Sequence, residues 1–191
     1  MIDSHRVQVG NTNSRVAFIL NQNGKPIVIG SNTVKVFGKK EDYTSWIAET
    51  TTGVTVEMTN TFTASGTTGL ATHAGHIVKD GYRIRVSNSG GALPSGLAAS
   101  TPYYAVNVTD SSFGLAATPG GVSVIAGAGT GTNSYWIDGL VKYDWQASDV
   151  ASAGTFRLYF NVYSGSEYDT FPTISNGVHN PGFLVYVVDA S

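Results

Sequence analysis

Residues 141–163 read VKYDWQASDVASAGTFRLYFNVY, and the alternation within this stretch sets the fold class. Val141, Tyr143 and Trp145 take turns with Lys142, Asp144 and Gln146. An extended chain would put the apolar side chains on one face and the polar ones on the other. After a polar break at 147–154, Phe156, Leu158, Phe160 and Val162 again share a face, opposite Thr155, Arg157, Tyr159 and Asn161. The simplest pairing makes the two runs neighbouring antiparallel strands, with Gly154 freeing the backbone where the second begins. Residues 147–153 have room for a single helical turn capped by Ser148 or Asp149.

Upstream, short strands are expected at 7–9, 15–20, 27–29, 33–37, 45–49 and 54–58. The first pair is separated by a turn-rich stretch, and NQNGKP at 21–26 supplies an Asn-Gly hairpin turn. Pro26 cannot donate to a ladder, so the strand at 27–29 should start at or after it. Residues 38–42 read as a charged turn. Between 60 and 133 the texture changes: charge is sparse, and glycine, alanine and threonine are dense. Strands are expected there at 70–73, 82–86, 103–108, 113–116 and 122–126, with turns at 79–81 and 119–121. The outer style resumes at 135–137 and 140–143 and finishes with strands at 170–174 and 182–189. Apolar residues nowhere recur at helical spacing over a long window. The expectation is an all-β chain: an antiparallel, immunoglobulin-like β-sandwich formed by 1–60 and 134–191, its two ends closing on one interior, with 61–133 inserted as a small all-β module.

The 191-residue chain is 41% hydrophobic but only 13% charged, about half the ~25% usual in soluble domains. A surface poor in charge points to coverage by neighbours. The net charge of -2 offers no chain-wide attraction to nucleic acid or anionic membrane. There is no cysteine, which removes disulfides and thiolate chemistry. The N-terminus lacks a basic-then-apolar signal pattern, and the apolar run at 183–188 is far short of a membrane span. Synthesis and folding in a cytoplasm are therefore expected.

Tyr143, Trp145, Asp149, Gly154, Thr155 and Phe156, with Thr170, Phe171 and Pro172, form a spacing that resembles the immunoglobulin-like N-terminal domain of tailed-phage upper baseplate proteins. The strand at 15–20 followed by NQNGKP is similar to that family's first hairpin. Together these cover about 1–60 and 134–191. The middle segment resembles a module found in phage structural proteins. It does so through HIVKDG (76–81), the strand at 83–86, GGALPSGL (90–97), TPYYAVN (101–107), SFGLA (112–116), TPGG (118–121) and GAGTGT (127–132). The resemblance implies a non-enzymatic virion component, at the tail, baseplate or neck, whose partners are other virion proteins and copies of itself. Longer baseplate proteins carry further domains, so a capsid-surface decoration protein is the alternative position.

Other motifs have plainer readings. His73 and His76 form H-x-x-H, but a strand would point the rings to opposite faces and no third ligand is near, so no metal is expected. His5 and His179 are isolated. The glycines at 127, 129 and 131 precede a strand, not a helix, so they read as a flexible return from the insert rather than a phosphate cradle. Glu57, Asp138, Asp144 and Asp149 could form an acid/base pair as glycosidases require, yet each has a turn or surface role; no catalytic residue, cofactor or G-x-S-x-G is expected. Tyr143, Trp145, Phe156, Leu158, Phe160 and Phe18 read as core, and Asp149, Gly154, Phe171 and Pro172 as turn residues. Trp46, Trp136 and one of Tyr103 and Tyr104 are candidate exposed platforms for a glycan. A glycan-binding module is thus the second functional class, and a polysaccharide-cleaving enzyme the third.

Overall fold

A computed structural model describes residues 4–56, 59–172 and 182–189. It contains two compact units, one of Met1–Val56 with Gly139–Ser191 and one of Glu57–Asp138. The first unit begins with β1 (Ser4–Gln8), β2 (Arg15–Ile19), β3 (Asn21–Gln22), β4 (Lys25–Pro26), β5 (Thr33–Lys40), β6 (Ser45–Thr50) and β7 (Val54–Val56). The second holds β8 (Asn60–Ser65), β9 (Leu70–Thr72), β10 (Arg83–Ser89), β11 (Tyr103–Val106), β12 (Ser112–Ala116) and β13 (Thr132–Ile137). The first resumes with β14 (Leu140–Asp144), β15 (Gly154–Ser164), β16 (Glu167–Phe171) and β17 (Phe183–Val188). The chain is all-β, and no helix occurs among the described residues. Glu57, Met58, Thr173, Ile174 and His179, which fell within the sequence expectations, lie outside the described residues, as does the side chain of His5.

The first unit is a sandwich. One sheet runs β1-β17-β15-β5-β6, with β16 added to β15, and the other runs β2-β14-β7. The two runs of 141–163 are therefore not neighbours: β14 pairs with β2 and β7, whereas β15 pairs with β5, β16 and β17. The segment between them folds as a turn, with Asp149 N–H donating to Gln146 O (3.0 Å), and carries the chain from one sheet to the other. The apolar faces meet across the interior: Tyr143, Trp145, Phe156, Leu158, Phe160 and Phe18 all belong to one buried cluster. Phe18 and Phe160 have ring centroids 5.4 Å apart. Lys142, expected on a solvent face, is largely buried between Ala17 and Thr55 in register. Burial, then repulsion from Arg15, holds its ammonium below the ordinary lysine pKa.

Local differences have local causes. Asn23 (φ 53°) and Gly24 (φ 75°) build the 21–26 hairpin, as their residue types predict. Residues 27–29 then form no strand; Ile29 is buried and Ile27 N–H donates to Leu20 O (3.0 Å). The charged turn predicted at 38–42 starts later, because β5 continues through Lys40. The β5–β6 register shifts between Gly38, opposite Ile47, and Lys39, opposite Ser45, leaving Trp46 as the bulged residue. Trp46 and Ile47 both pack on the core, and Gly38 makes room: a Cβ there would lie 2.6 Å from Trp46 Cε3. Gly154 likewise supplies space rather than unusual torsion, since a Cβ would sit 2.9 Å from Phe156 Cζ. Strand β1 joins β17 in parallel, the exception to the antiparallel pairing expected throughout.

The second unit is a closed barrel ordered β10-β11-β12-β9-β8-β13. Phe62, Ile84, Val86, Tyr103, Phe113, Leu115, Tyr135 and Ile137 are buried there. The segment 135–137, expected in the sandwich, belongs to this barrel, because β13 pairs with β10 on one side and β8 on the other. That pairing moves the unit boundaries from 60/61 and 133/134 to Val56/Glu57 and Asp138/Gly139. Residues 122–126 contribute only an isolated bridge, Ala116 to Ser123. The glycine-rich stretches are not a flexible return. Segments 90–97 and 124–131 are zipped together, with Ala126 N–H to Ser95 O and Thr130 N–H to Ala92 O both at 2.8 Å, and the missing side chains let the backbones touch.

Candidate interaction surfaces

The glycan-platform residues separate by strand parity. Tyr103 is buried, its hydroxyl accepting from Ala98 N–H at 2.8 Å, while Tyr104 is half-buried on the other side of β11. In register, Tyr104 stands opposite Arg83 and Trp136 opposite Arg85, so both rings and both guanidiniums share the barrel's outer face. Between them sits Asp138, fully buried, with Arg83 Nε and Arg85 Nε each 3.0 Å from its carboxylate. Burial pushes the Asp138 carboxyl above the usual range, against the pull of Arg85 and Arg83. The sequence reading put both arginines on the strand at 83–86 but gave them no role; their i, i+2 spacing was the signal that they share a face. Replacing Asp138 by asparagine strands two partly buried cations. Relief of the buried carboxylate offsets part of that cost, so a loss of only about 1–2 kcal/mol in the second unit is expected, below the ~3–5 kcal/mol of a broken buried pair; urea unfolding checks it.

Trp46 is committed to packing. It stacks on Phe156 at 4.0 Å and 20°, and its indole N–H donates to Asp149 O at 3.0 Å. It forms part of the wall of an open groove of about 560 Å³, with Asp42, Ser148, Asp149, Ser152 and Phe156. Asp149 is itself buried, accepting from Tyr143 Oη (2.5 Å) and Gln146 N–H (2.9 Å). Burial, reinforced by that bond to Asp149, raises the Tyr143 pKa.

The weighed carboxylates take separate structural roles: Asp144 pairs with Arg15, Asp149 holds its turn, and Asp138 holds the two arginines. The His73 and His76 rings do not diverge as expected; their centroids are 6.3 Å apart, because β9 ends at Thr72 and Gly75 turns with φ 73°. His73 Nδ1 meets Tyr135 Oη at 2.8 Å, and His76 lies edge-on to Phe113. Burial pushes the Tyr135 phenol up to about 12. Among the described residues, no three His, Cys, Asp or Glu are grouped to hold a metal.

No protein-family model, curated protein or solved structure matches this chain.

One further candidate surface was not singled out in the sequence. Side chains of the larger sandwich sheet alternate, and those leaving the core are rich in rings and cations. Phe37 and Tyr159 stack at 4.9 Å and 10°, Lys35 Nζ sits 4.3 Å over Tyr163, and Arg6 lies 5.9 Å over Tyr186. In register, Leu184, Arg157 and Lys39 form a row across three strands. Glu49 accepts from Asn161 Nδ2 and Tyr163 Oη, both 2.6 Å, and pairs with Lys35 at 3.5 Å. These bonds, Tyr163's first, hold its carboxyl below the ordinary glutamate value. A depressed folded-state pKa stabilises above the unfolded-state value and loses that stability as pH falls through the folded one. The acid sensitivity of unfolding below pH ~4.3 is therefore expected to shrink in Glu49→Gln, by roughly 0.5–1 kcal/mol after allowance for solvent screening, read from urea midpoints at stepped pH.

Proposed function

We propose that this chain is a non-enzymatic structural component of a tailed-bacteriophage particle, seated in the tail, baseplate or neck. The observation that carries the reading is the outer face of the larger sandwich sheet. It displays half-buried Phe37, Tyr163 and Tyr186 with Arg157 and Lys39 where an isolated sandwich ordinarily turns small polar side chains to water. Aromatic and arginine side chains are the residues that anchor protein contacts. The resemblance of 1–60 and 134–191 to baseplate immunoglobulin-like domains, and of the middle to a phage structural module, supports the virion as the setting. The docking is geometric: a rigid sandwich and barrel place their faces against neighbouring subunits. Mass spectrometry and a density map of purified particles test this. The protein is expected in stoichiometric amounts at the tail end; density on the capsid would favour the decoration role, and particles lacking the protein would remove the proposal.

A second reading has its own observation: Tyr104 and Trp136 flank the Arg83–Asp138–Arg85 cluster on one barrel face, combining ring platforms with planar hydrogen-bonding groups. Saturable binding to host-surface polysaccharide, lost in Trp136→Ala and Tyr104→Ala, would favour a receptor-binding role.

A further inference from the structure

Four cations of the larger sandwich sheet share its outer face, and the carboxylates of its β15–β16 hairpin leave it on the other side. Along β15, Thr155, Arg157, Tyr159, Asn161 and Tyr163 lie on the side away from the core, Tyr159 and Asn161 being buried there, and the even-numbered residues from Phe156 to Val162 face into the core. Register carries Lys39, Phe37 and Tyr186 to the same outer side. On the strands of that face Glu49 is the one carboxylate, tied to Lys35, against the four cations Arg6, Lys35, Lys39 and Arg157, so the face is net positive. Strand β16 pairs only with β15 at the end of the sheet, and residues 164–169 are all exposed. Within that hairpin, Glu167 and Asp169 share strand parity with Phe171, which is buried in the core. They therefore leave the sheet on the side opposite Lys39 and Arg157.

We propose that the acidic β15–β16 hairpin of one copy docks on the cationic, ring-covered outer sheet face of the next, assembling this chain head to tail. The inference rests on the assembly reading above and names its contact. Charge complementarity argues for a second copy: Arg6, Lys35, Lys39 and Arg157 lie on this face, against Glu49 alone among the acidic residues described. The rest of the chain is correspondingly acidic. Two such faces meeting each other would set cation against cation, so a two-fold contact is disfavoured. A heterologous contact of this kind closes into a ring or extends as a filament.

A charge-swap experiment on the full chain tests the contact. In sedimentation velocity the wild type is expected to associate, more weakly as salt rises. Lys39→Glu and Asp169→Lys, each alone, are expected to weaken association about tenfold or more. An equimolar mixture of the two variants is expected to associate again, because Glu at 39 of one then meets Lys at 169 of the other. Circular dichroism melting of each variant confirms folding independently. A wild type that stays monomeric, single variants that associate unchanged, or a mixture that fails to recover would each overturn the proposal. The virion assay reads the functional proposal separately, since a protein present in particles yet monomeric in solution would remove this contact and leave the assembly role standing.

Discussion

Trp145→Ala is expected to destabilise the sandwich by about 3–5 kcal/mol. The indole is 2% exposed and is the largest of the fully buried side chains. It is enclosed by Tyr143 edge-on at 5.3 Å and Trp46 at 5.8 Å. These neighbours are themselves pinned, Tyr143 by Asp149 and Trp46 by the Asp149 carbonyl and Phe156, so the void cannot collapse easily. A stability of ~5–15 kcal/mol is normal for a domain, and this one change removes a large part of it. Chemical unfolding followed by the remaining tryptophans measures the loss, with Val122→Ser, at a side chain 87% exposed, as a control expected within about 0.5 kcal/mol of wild type. A Trp145→Ala protein that unfolds at the wild-type midpoint would remove Trp145 from the core.

Gly96→Ala should be nearly as severe, at about 3 kcal/mol, although it adds a single methyl group. Gly96 has φ 91°, and a Cβ would lie 1.8 Å from Val124 O. The contact is with backbone, so no side chain can swing aside, and left-handed strain adds to the overlap. The rungs between 90–97 and 124–131 should part first, seen as faster hydrogen exchange at Ala126 and Thr130. Gly120→Ala separates the two effects: its φ of 69° is also left-handed, but nothing lies within 4 Å of the added Cβ, so only about 1 kcal/mol is expected. Equal losses at the two positions would mean that torsion, and not close backbone approach, accounts for the glycines.

The period-two pattern of 141–163 was readable because a half-buried strand writes its own orientation into alternate residues. It says nothing about which strand lies alongside, and the pairing inferred between its two runs was wrong for that reason: apolar faces fit equally well side by side or across a core. The strand 60–65 went unread because NTFTAS carries one large apolar residue, Phe62; pairing with β13 and β9 makes it a strand. Glycine density was visible as composition, but whether a glycine supplies freedom or closeness depends on the atom facing it, which for Gly96 is a carbonyl far along the chain. Tyr103 and Tyr104 were separable as one in and one out, yet not which, since that sign belongs to the barrel and not to the dipeptide.

Residue order alone thus established an all-β chain, its turn at Asn23-Gly24, the apolar faces of its strongest strands and a change of texture in the middle, because each of these is encoded within a few neighbouring residues. Strand partners, the membership of 135–137 in the barrel, the arginine pair around Asp138 and the cationic face of the larger sheet emerged only on folding. Each depends on register between segments distant in sequence, and register is chosen by the summed packing of whole faces rather than by any local preference.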